Sequence, residues 1–364
     1  MRRSGERSVI LADVARAAGT SEATASRALR DDERIGVSTR AAVRAAAVEL
    51  GYVPNAAARS LRSRKTHILG LLLEDLADPV NCQMAAGFEK AAAGHGYAVF
   101  IMTGLHDLKR ENGALRAFVE HRADGIVLAS CVSDPAEVYE RVAPERVVFV
   151  QPDYPRLADG EGPPARGVLQ SDDASGIAAA MRHLVDRGYS RIAYIGSGGG
   201  PSDLQRRAAA AAVLAGLLPT EPFRILDAGF AGWRNASEVA EALARNPPQA
   251  VVCYDDKLAL ALLDALRSTR IEVPGELAVV GFDGIAPAGQ SHPRLTTIEV
   301  PSNELGSRAV GMLVAAARDG VMPASYAMPV RLVVRDSTPP RPAVVTVQQR
   351  TAAAETAPST GHRR

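Results

Sequence analysis

From His67 onward the chain alternates short apolar runs with amphipathic stretches, and this alternation restricts its fold more than any other feature. The runs are Ile68 to Leu73, Ala98 to Met102, Gly125 to Ala129, Val147 to Val150, Ile192 to Ile195, Ala250 to Cys253 and Leu277 to Val280. Each is four to six residues long and apolar throughout, the pattern of a strand buried on both faces. Strand and helix in repetition build parallel βαβ units with helices on both sides of a sheet. A Pro- and Gly-rich passage, Pro152 to Gly167, has little to bury and separates two clusters of runs. The expected body is therefore α/β, two doubly wound parallel-sheet lobes with a cleft between them.

Ligands of such sheets sit beyond the carboxyl ends of the strands, so polar residues following a run are the binding candidates. They are Asp78, Asp172 with Asp173, Arg207, Asp255 with Asp256, and Asp283. Carboxylates accept pairs of sugar hydroxyls or nucleobase amines, and a guanidinium clamps a hydroxyl pair, a carboxylate or a phosphate. An acid after a strand is equally often the N-cap of the next helix. Phe230 is a stacking candidate for a ring, Trp233 competes for that role, and either can be a core residue.

The first 62 residues read differently. Ile10, Val14, Ala17 and Ala18 form one apolar stripe at helical spacing, and Gly19 ends that helix. Ser21 is a good N-cap for a second helix, Glu22 to Leu29, whose Ala25, Ala28 and Leu29 face the first. A third helix, Ser38 to Leu50, buries Val43, Ala46, Ala47 and Leu50 and stops at Gly51. Helix, tight turn and helix is the geometry in which the second helix enters the major groove of DNA by its N-terminal end. Its outward residues, Glu22, Ala23, Ser26 and Arg27, suit groove reading: Arg pairs bidentately with guanine, Ser binds phosphate or base, and Glu accepts from cytosine. Charge agrees with this division. Residues 1–65 hold 13 Lys or Arg against 7 Asp or Glu, net +6, so a whole-chain charge of +1 leaves −5 for the remainder. A basic head rides on an acidic body.

The ordered motifs Asp13-Val14-Ala15, Ala18-Gly19-Thr20-Ser21, Thr24-Ala25-Ser26-Arg27, Thr39-Arg40 and Leu50-Gly51-Tyr52-Val53-Pro54-Asn55, followed by Ala58-Arg59-Ser60-Leu61, resemble the head of the lactose-repressor and galactose-repressor family of bacterial transcription factors. The resemblance implies DNA contacts from Ser21, Glu22, Ala23, Thr24, Ser26, Arg27, Tyr52, Asn55, Ala58, Arg59, Leu61 and Arg62. It also implies a hinge helix over Asn55 to Arg62 that folds on DNA and wedges Leu61 into the minor groove, at a cost of a few kcal/mol of unstacking. The body it implies resembles a periplasmic sugar-binding protein, with the chain crossing between lobes near 162–167, 290–295 and 325–329. Aligned on Val280-Gly281-Phe282-Asp283 and Leu295-Thr296-Thr297-Ile298, the family's effector contacts fall on Asp172, Arg207, Asp255 and Asp283. Departures touch ligand and operator identity: Asp78-Pro79-Val80-Asn81 stands where Asn-Pro-aromatic-aromatic is common, Ala208 to Ala212 where Gly and an aromatic follow the Arg, and Ala25 and Arg30 where Val and Asn are usual.

The resulting division is a DNA-binding head (1–54), a hinge and linker (55–65), a two-lobed effector-binding and dimerisation body (66–337) and a disordered tail (338–364). The tail shows no leucine heptad, which favours a homodimer on a palindromic operator of double-stranded DNA. Enzyme readings find little support. The Gly196-Ser197-Gly198-Gly199-Gly200-Pro201 loop has Pro where a dinucleotide fingerprint needs Gly, there is no Gly-x-Ser-x-Gly, and the histidines form no HExxH. Cys82, Cys131 and Cys253 are widely spaced and read as small core residues, and His183 as structural, so neither a metal nor a cofactor is expected. No apolar run is long enough to span a membrane, and the Arg-rich start lacks a signal core, so the expected location is the cytoplasm. The expected function is an effector-controlled repressor, the effector being a sugar or sugar derivative rather than a purine.

Overall fold

The computed structural model describes residues 9–53, 65–153, 166–229 and 232–341. The chain divides into two compact units, Met1–Thr66 and His67–Arg364.

In the first unit, helices α1 (Leu11–Ala17), α2 (Glu22–Ala28) and α3 (Val37–Glu49) close on a core of Val14, Ala15, Ala25, Ala28, Val43, Ala46 and Ala47. Small side chains let these short helices approach closely, and packing supplies the stability that seven-residue helices lack alone. Gly19, at φ +63°, makes the turn between α1 and α2, where Thr20 N donates to Ala15 O at 2.9 Å. Ser21 Oγ then caps α2 by accepting from Thr24 N at 3.2 Å. Two details differ from the sequence expectation. The inward stripe of α1 is Leu11, Val14, Ala15 and Ala18, because Ile10 is the extended N-cap and is 46% exposed. Leu50, beyond the last turn of α3, is 37% exposed.

The second unit holds two six-stranded sheets. The first contains β1 (Ile68–Leu73), β2 (Ala98–Thr103), β3 (Gly125–Ala129), β4 (Val147–Val150), β5 (Val168–Ser171) and β11 (Tyr326–Met328), in the order β11-β5-β4-β3-β1-β2, all parallel. The second contains β6 (Ile192–Gly196), β7 (Arg224–Asp227), β8 (Ala250–Cys253), β9 (Ala278–Asp283), β10 (Thr296–Glu299) and β12 (Arg331–Val333), in the order β12-β10-β9-β8-β6-β7, with only β12 antiparallel. Every apolar run is a strand.

The first lobe carries α4 (Pro79–Gly94), α5 (Leu108–Glu120), α6 (Pro135–Tyr139) and α11 (Ser302–Asp319). The second carries α7 (Asp173–Asp186), α8 (Pro201–Leu217), α9 (Ala236–Arg245) and α10 (Asp256–Leu266). Helices α4 and α11 touch through glycine: an added Cβ at Gly87 would overlap the Asn303 carbonyl, and one at Gly306 the Met84 carbonyl.

Two of the three lobe crossings lie later than expected, while the third, just after Met328, falls at the expected place. They fall between β5 and α7, between β10 and α11, and between β11 and β12. β4 and β5, on either side of the Pro152 to Gly167 passage, are neighbours in one sheet, so the passage does not separate two lobes. The packed body also runs past 337: Thr338 is fully buried, its hydroxyl 2.9 Å from His183 Nε2, Tyr189 Oη donates to Pro339 O at 2.7 Å, and Arg341 N donates to Arg187 O at 2.9 Å. The expected disordered tail therefore cannot begin at Thr338, and its residues from 342 on lie outside the described residues.

Candidate functional site

In the first unit α2 presents Glu22, Ala23 and Arg27 fully outward and Ser26 partly so. Ala25 and Ala28, on the opposite face, fix that presentation by their burial. Ser21 and Thr24 are committed locally, their hydroxyls 3.0 Å apart at the cap, so one O–H of the pair is used there and the other is left to donate to a phosphate. Tyr52 packs on the three-helix core. A residue the sequence reading passed over, Arg40, donates to Ile35 O at 2.6 Å and so ties the loop before α3 to the helix. Asn55, Ala58, Arg59, Leu61 and Arg62 lie outside the described residues.

In the second unit, among the described residues, two side-chain contacts join the strand ends of the two sheets. Lys257 of α10 forms an ion pair with Asp78, the N-cap of α4, and Ser202 N donates to Asp153 at 3.0 Å. Asp78 also accepts from Val80 N at 2.8 Å, and the buried Asn81 pins the same loop by donating to Asp75 O at 3.0 Å. Beside this, His106 pairs with Glu74 at 3.0 Å, a bond that raises the imidazole pKa.

Arg206 is buried among the strand-end acids. It is 5% exposed, donates to Asp173 at 2.7 Å and to Tyr254 O at 2.6 Å, and lies 3.6 Å from the Phe282 ring centroid. Burial works against its charge, but Asp173, Tyr254 and Asp283 outweigh it and keep the guanidinium firmly protonated. Burial pushes the Asp283 carboxyl well above the usual range, against the pull of Arg206. Burial likewise raises Asp255, against Lys257 3.6 Å away, and Asp153. The Tyr254 hydroxyl, 2.9 Å from Ser202 Oγ, is pushed up to about 12, chiefly by burial.

The expected residues are thus partly assembled. Asp78, Asp255 and Asp283 share one electrostatic environment, each perturbing another. Asp172 does not join them; it is the N-cap of α7, accepting from Ser175 N at 3.1 Å, and its neighbour Asp173 reaches Arg206 instead. Arg207 points the other way, to Asp203 at 2.5 Å and Asp227 at 2.8 Å. Successive helical positions diverge by about 100°, so the two adjacent guanidiniums reach different partners. Asp256 is structural: fully buried, it accepts from Thr297 Oγ1 at 2.6 Å and Ile285 N at 2.9 Å, and burial lifts its pKa to about 7. Phe230 lies outside the described residues, and Trp233 is 48% exposed with Arg234 over its ring at 5.0 Å. The Gly-rich loop after β6 turns its amides inward, Ser197 N and Gly199 N to Asp203 and Gly198 N to Asp227, so those donors are already taken.

Sequence reasoning missed Arg206, Asp173 as its partner, Tyr254 and Lys257. Lys257 had a signal, a cation two residues beyond a strand-end Asp. Cys131 and Cys253 are buried as expected, whereas Cys82 is exposed, its thiol 2.9 Å from Leu76 O. Among the described residues no group of His, Cys, Asp and Glu is arranged to hold a metal ion, and no helix is long and apolar enough to cross a membrane.

Comparison with known proteins places both units. Residues 10–55 match the family described as bacterial regulatory proteins, lacI family, and residues 181–338 match the periplasmic binding protein-like domain. The chain is 31% identical over 312 residues to the ribose operon repressor of Escherichia coli (strain K12), covering 83% of this chain and 91% of that one. It is 29% identical over 337 residues to the HTH-type transcriptional regulator DegA of Bacillus subtilis (strain 168), covering 90% and 97%. Among solved structures, the lac repressor dimer bound to operator and the anti-inducer ONPF superposes with a TM-score of 0.80 at 22% identity, over 92% of this chain and 100% of that chain.

Proposed function

Because the chain belongs to the lacI family of bacterial regulatory proteins, and is thus a helix-turn-helix transcriptional regulator, we propose that it is a cytoplasmic repressor whose hold on a palindromic operator is set by a sugar or sugar derivative in the cleft. Two copies place their α2 helices in successive major grooves through Ser21, Glu22, Ala23, Thr24, Ser26 and Arg27, with Tyr52 of the head as a further DNA contact and Asn55, Ala58, Arg59, Leu61 and Arg62 serving the hinge and its minor-groove contacts. The name of the ribose operon repressor supports a sugar as the ligand class.

The observation that carries the cleft assignment is Arg206, held between Asp173 and the Tyr254 carbonyl among the strand-end acids Asp78, Asp255 and Asp283. A guanidinium with carboxylates around it matches the vicinal hydroxyl pairs of a sugar, each hydroxyl donating to an acid and accepting from Arg. A ligand making such bonds competes with the cross-lobe pairs Lys257 to Asp78 and Ser202 to Asp153, and so shifts the angle between lobes. Coupling of about 1–3 kcal/mol suffices to change operator occupancy 5- to 150-fold.

The test is operator binding by the purified full chain, measured by fluorescence anisotropy on DNA selected from a random pool, against a panel of pentoses, hexoses and disaccharides. One sugar should move the affinity at least fivefold, and Arg206→Met should abolish that response while leaving operator affinity in its absence. A response that survives Arg206→Met would remove the cleft from the mechanism.

A further inference from the structure

We infer that the amino-terminal end of the second lobe's sheet holds a separate anion site, which takes a small ligand carrying a pyrophosphate or paired phosphate groups. A cavity of about 730 Å³ opens there, with Arg191, Arg245, Arg270 and Arg341 on its wall over an apolar floor that includes Pro248 and Ile271. Arg191 directly precedes β6, Gln249 precedes β8 and Glu276 lies just before β9, so the cavity is at the opposite end of the strands from the cleft.

The guanidiniums are short of partners. Among the described residues Arg341 Nη1 is buried without a hydrogen bond, a state that ordinarily signals an unmet anion or water. That guanidinium lies over the Tyr189 ring, 5.8 Å from its centroid. Arg245 meets Glu241 only at 3.5 Å, both side chains being exposed. The other carboxylate on the wall, Glu276, is taken up by Glu272 N at 3.1 Å. This local excess of Arg stands in a chain whose charge outside the basic head is net negative.

The rim is fixed rather than loose. Gln249 Oε1 accepts from Ser190 N at 2.8 Å and Arg191 N at 3.2 Å, tying two of the loops together, and Arg341 N donates to Arg187 O at 2.9 Å. Several planar guanidiniums around one basin match phosphate oxygens bidentately, and the volume is that of a small-molecule site. Helix α10 connects this site to the cleft, since Lys257 lies in its first turn and Thr269 to Ile271 follow its last, about 16 Å further on.

The experiment is isothermal titration of the full chain with inorganic pyrophosphate at constant ionic strength, with sodium chloride and sulfate as controls. Saturable binding at one site per chain is expected, weakened at least tenfold in Arg191→Gln/Arg270→Gln and unchanged in Lys257→Met. Both Arg side chains are exposed, so the double variant should keep its circular dichroism spectrum and operator affinity. Three results overturn the inference: binding that follows ionic strength alone, binding unchanged in the double variant, or binding lost in Lys257→Met, which places the anion in the cleft.

Discussion

Arg206 and Arg207 are adjacent in sequence and opposite in consequence, so replacing each by Met tests the cleft assignment through stability alone. Arg206 has a side chain 6% exposed and pairs with Asp173, itself 18% exposed, at 2.7 Å. Met keeps the aliphatic stem but deletes that pair, the bond to Tyr254 O and the stack on Phe282. Removing one partner of a buried pair costs about 3–5 kcal/mol. Asp173 retains some water and the Ser171 hydroxyl, which puts the loss at about 3–4 kcal/mol. Arg207→Met also strands a buried acid, Asp203, but that carboxylate keeps Tyr194 Oη at 3.0 Å, Ser197 N at 3.1 Å and Gly199 N at 2.9 Å. Its second partner, Asp227, is 46% exposed, so that bond is worth little. The loss there should be about 1–2 kcal/mol. The two variants should therefore differ by about 2 kcal/mol in urea unfolding followed by circular dichroism, or roughly 4–8 °C in Tm for a domain of this size. Equal losses, or a larger loss for Arg207→Met, would show that the inward guanidinium has been misassigned.

Three other outcomes follow from packing, titration and base reading. Gly306→Ala should cost about 3 kcal/mol, because its Cβ meets backbone of α4 that cannot rotate away; thermal unfolding within 1 °C of the parent, on the order of experimental error, would mean the helices have room to part. Asp256 has its folded pKa raised to about 7, so its contribution is complete below its ordinary value of 3.8 and lost as pH climbs through about 7. Asp256→Asn, which keeps an acceptor for Ile285 N, should gain about 2–4 kcal/mol relative to the parent between pH 4 and pH 8, and parallel stability profiles would refute the neutral carboxyl. Arg27→Ala should relax operator specificity by about 1–3 kcal/mol with little change on random DNA; equal weakening on both would make Arg27 a phosphate contact.

What the sequence disclosed depended on how much solvent each element meets. Central strands such as β8, Ala250–Cys253, are buried throughout and announce themselves as unbroken apolar runs. Edge strands do not: β7 is Arg224-Ile225-Leu226-Asp227 with Ile225 45% exposed, and β12 is three residues beginning with Arg331, so neither carries a run to see. The same logic separates the two sites. The outward face of α2 was readable because burial of Ala25 and Ala28 leaves only one orientation. In the cleft, by contrast, Asp172 and Asp173, or Arg206 and Arg207, offer the same chemistry one position apart, and the choice rests on where α7 and α8 begin. Asp172 is consumed as the cap, which frees Asp173 to reach Arg206. Helix starts are set to within a residue by cap geometry rather than by apolar pattern, and the pattern alone cannot choose.

The pair of Lys257 and Asp78 joins the two lobes across a set of buried acids. The carboxyls of Asp153, Asp255 and Asp283 are all raised by burial, so bringing the lobes together concentrates groups that resist being charged side by side. Lys257, though burial opposes its charge, is held protonated by Asp255 and Asp78, one acid from each lobe. It therefore offsets repulsion only when the lobes are close. If a sugar occupies the cleft as proposed, a hydroxyl that displaces Lys257 from Asp78 removes that compensation while supplying neutral hydrogen bonds to the same acids. The lobe angle then depends on how many of those bonds the ligand completes, so a sugar lacking one hydroxyl should bind and yet move the lobes less. On that assignment affinity and response separate at one site, because the acids that would anchor the ligand include those that hold Lys257.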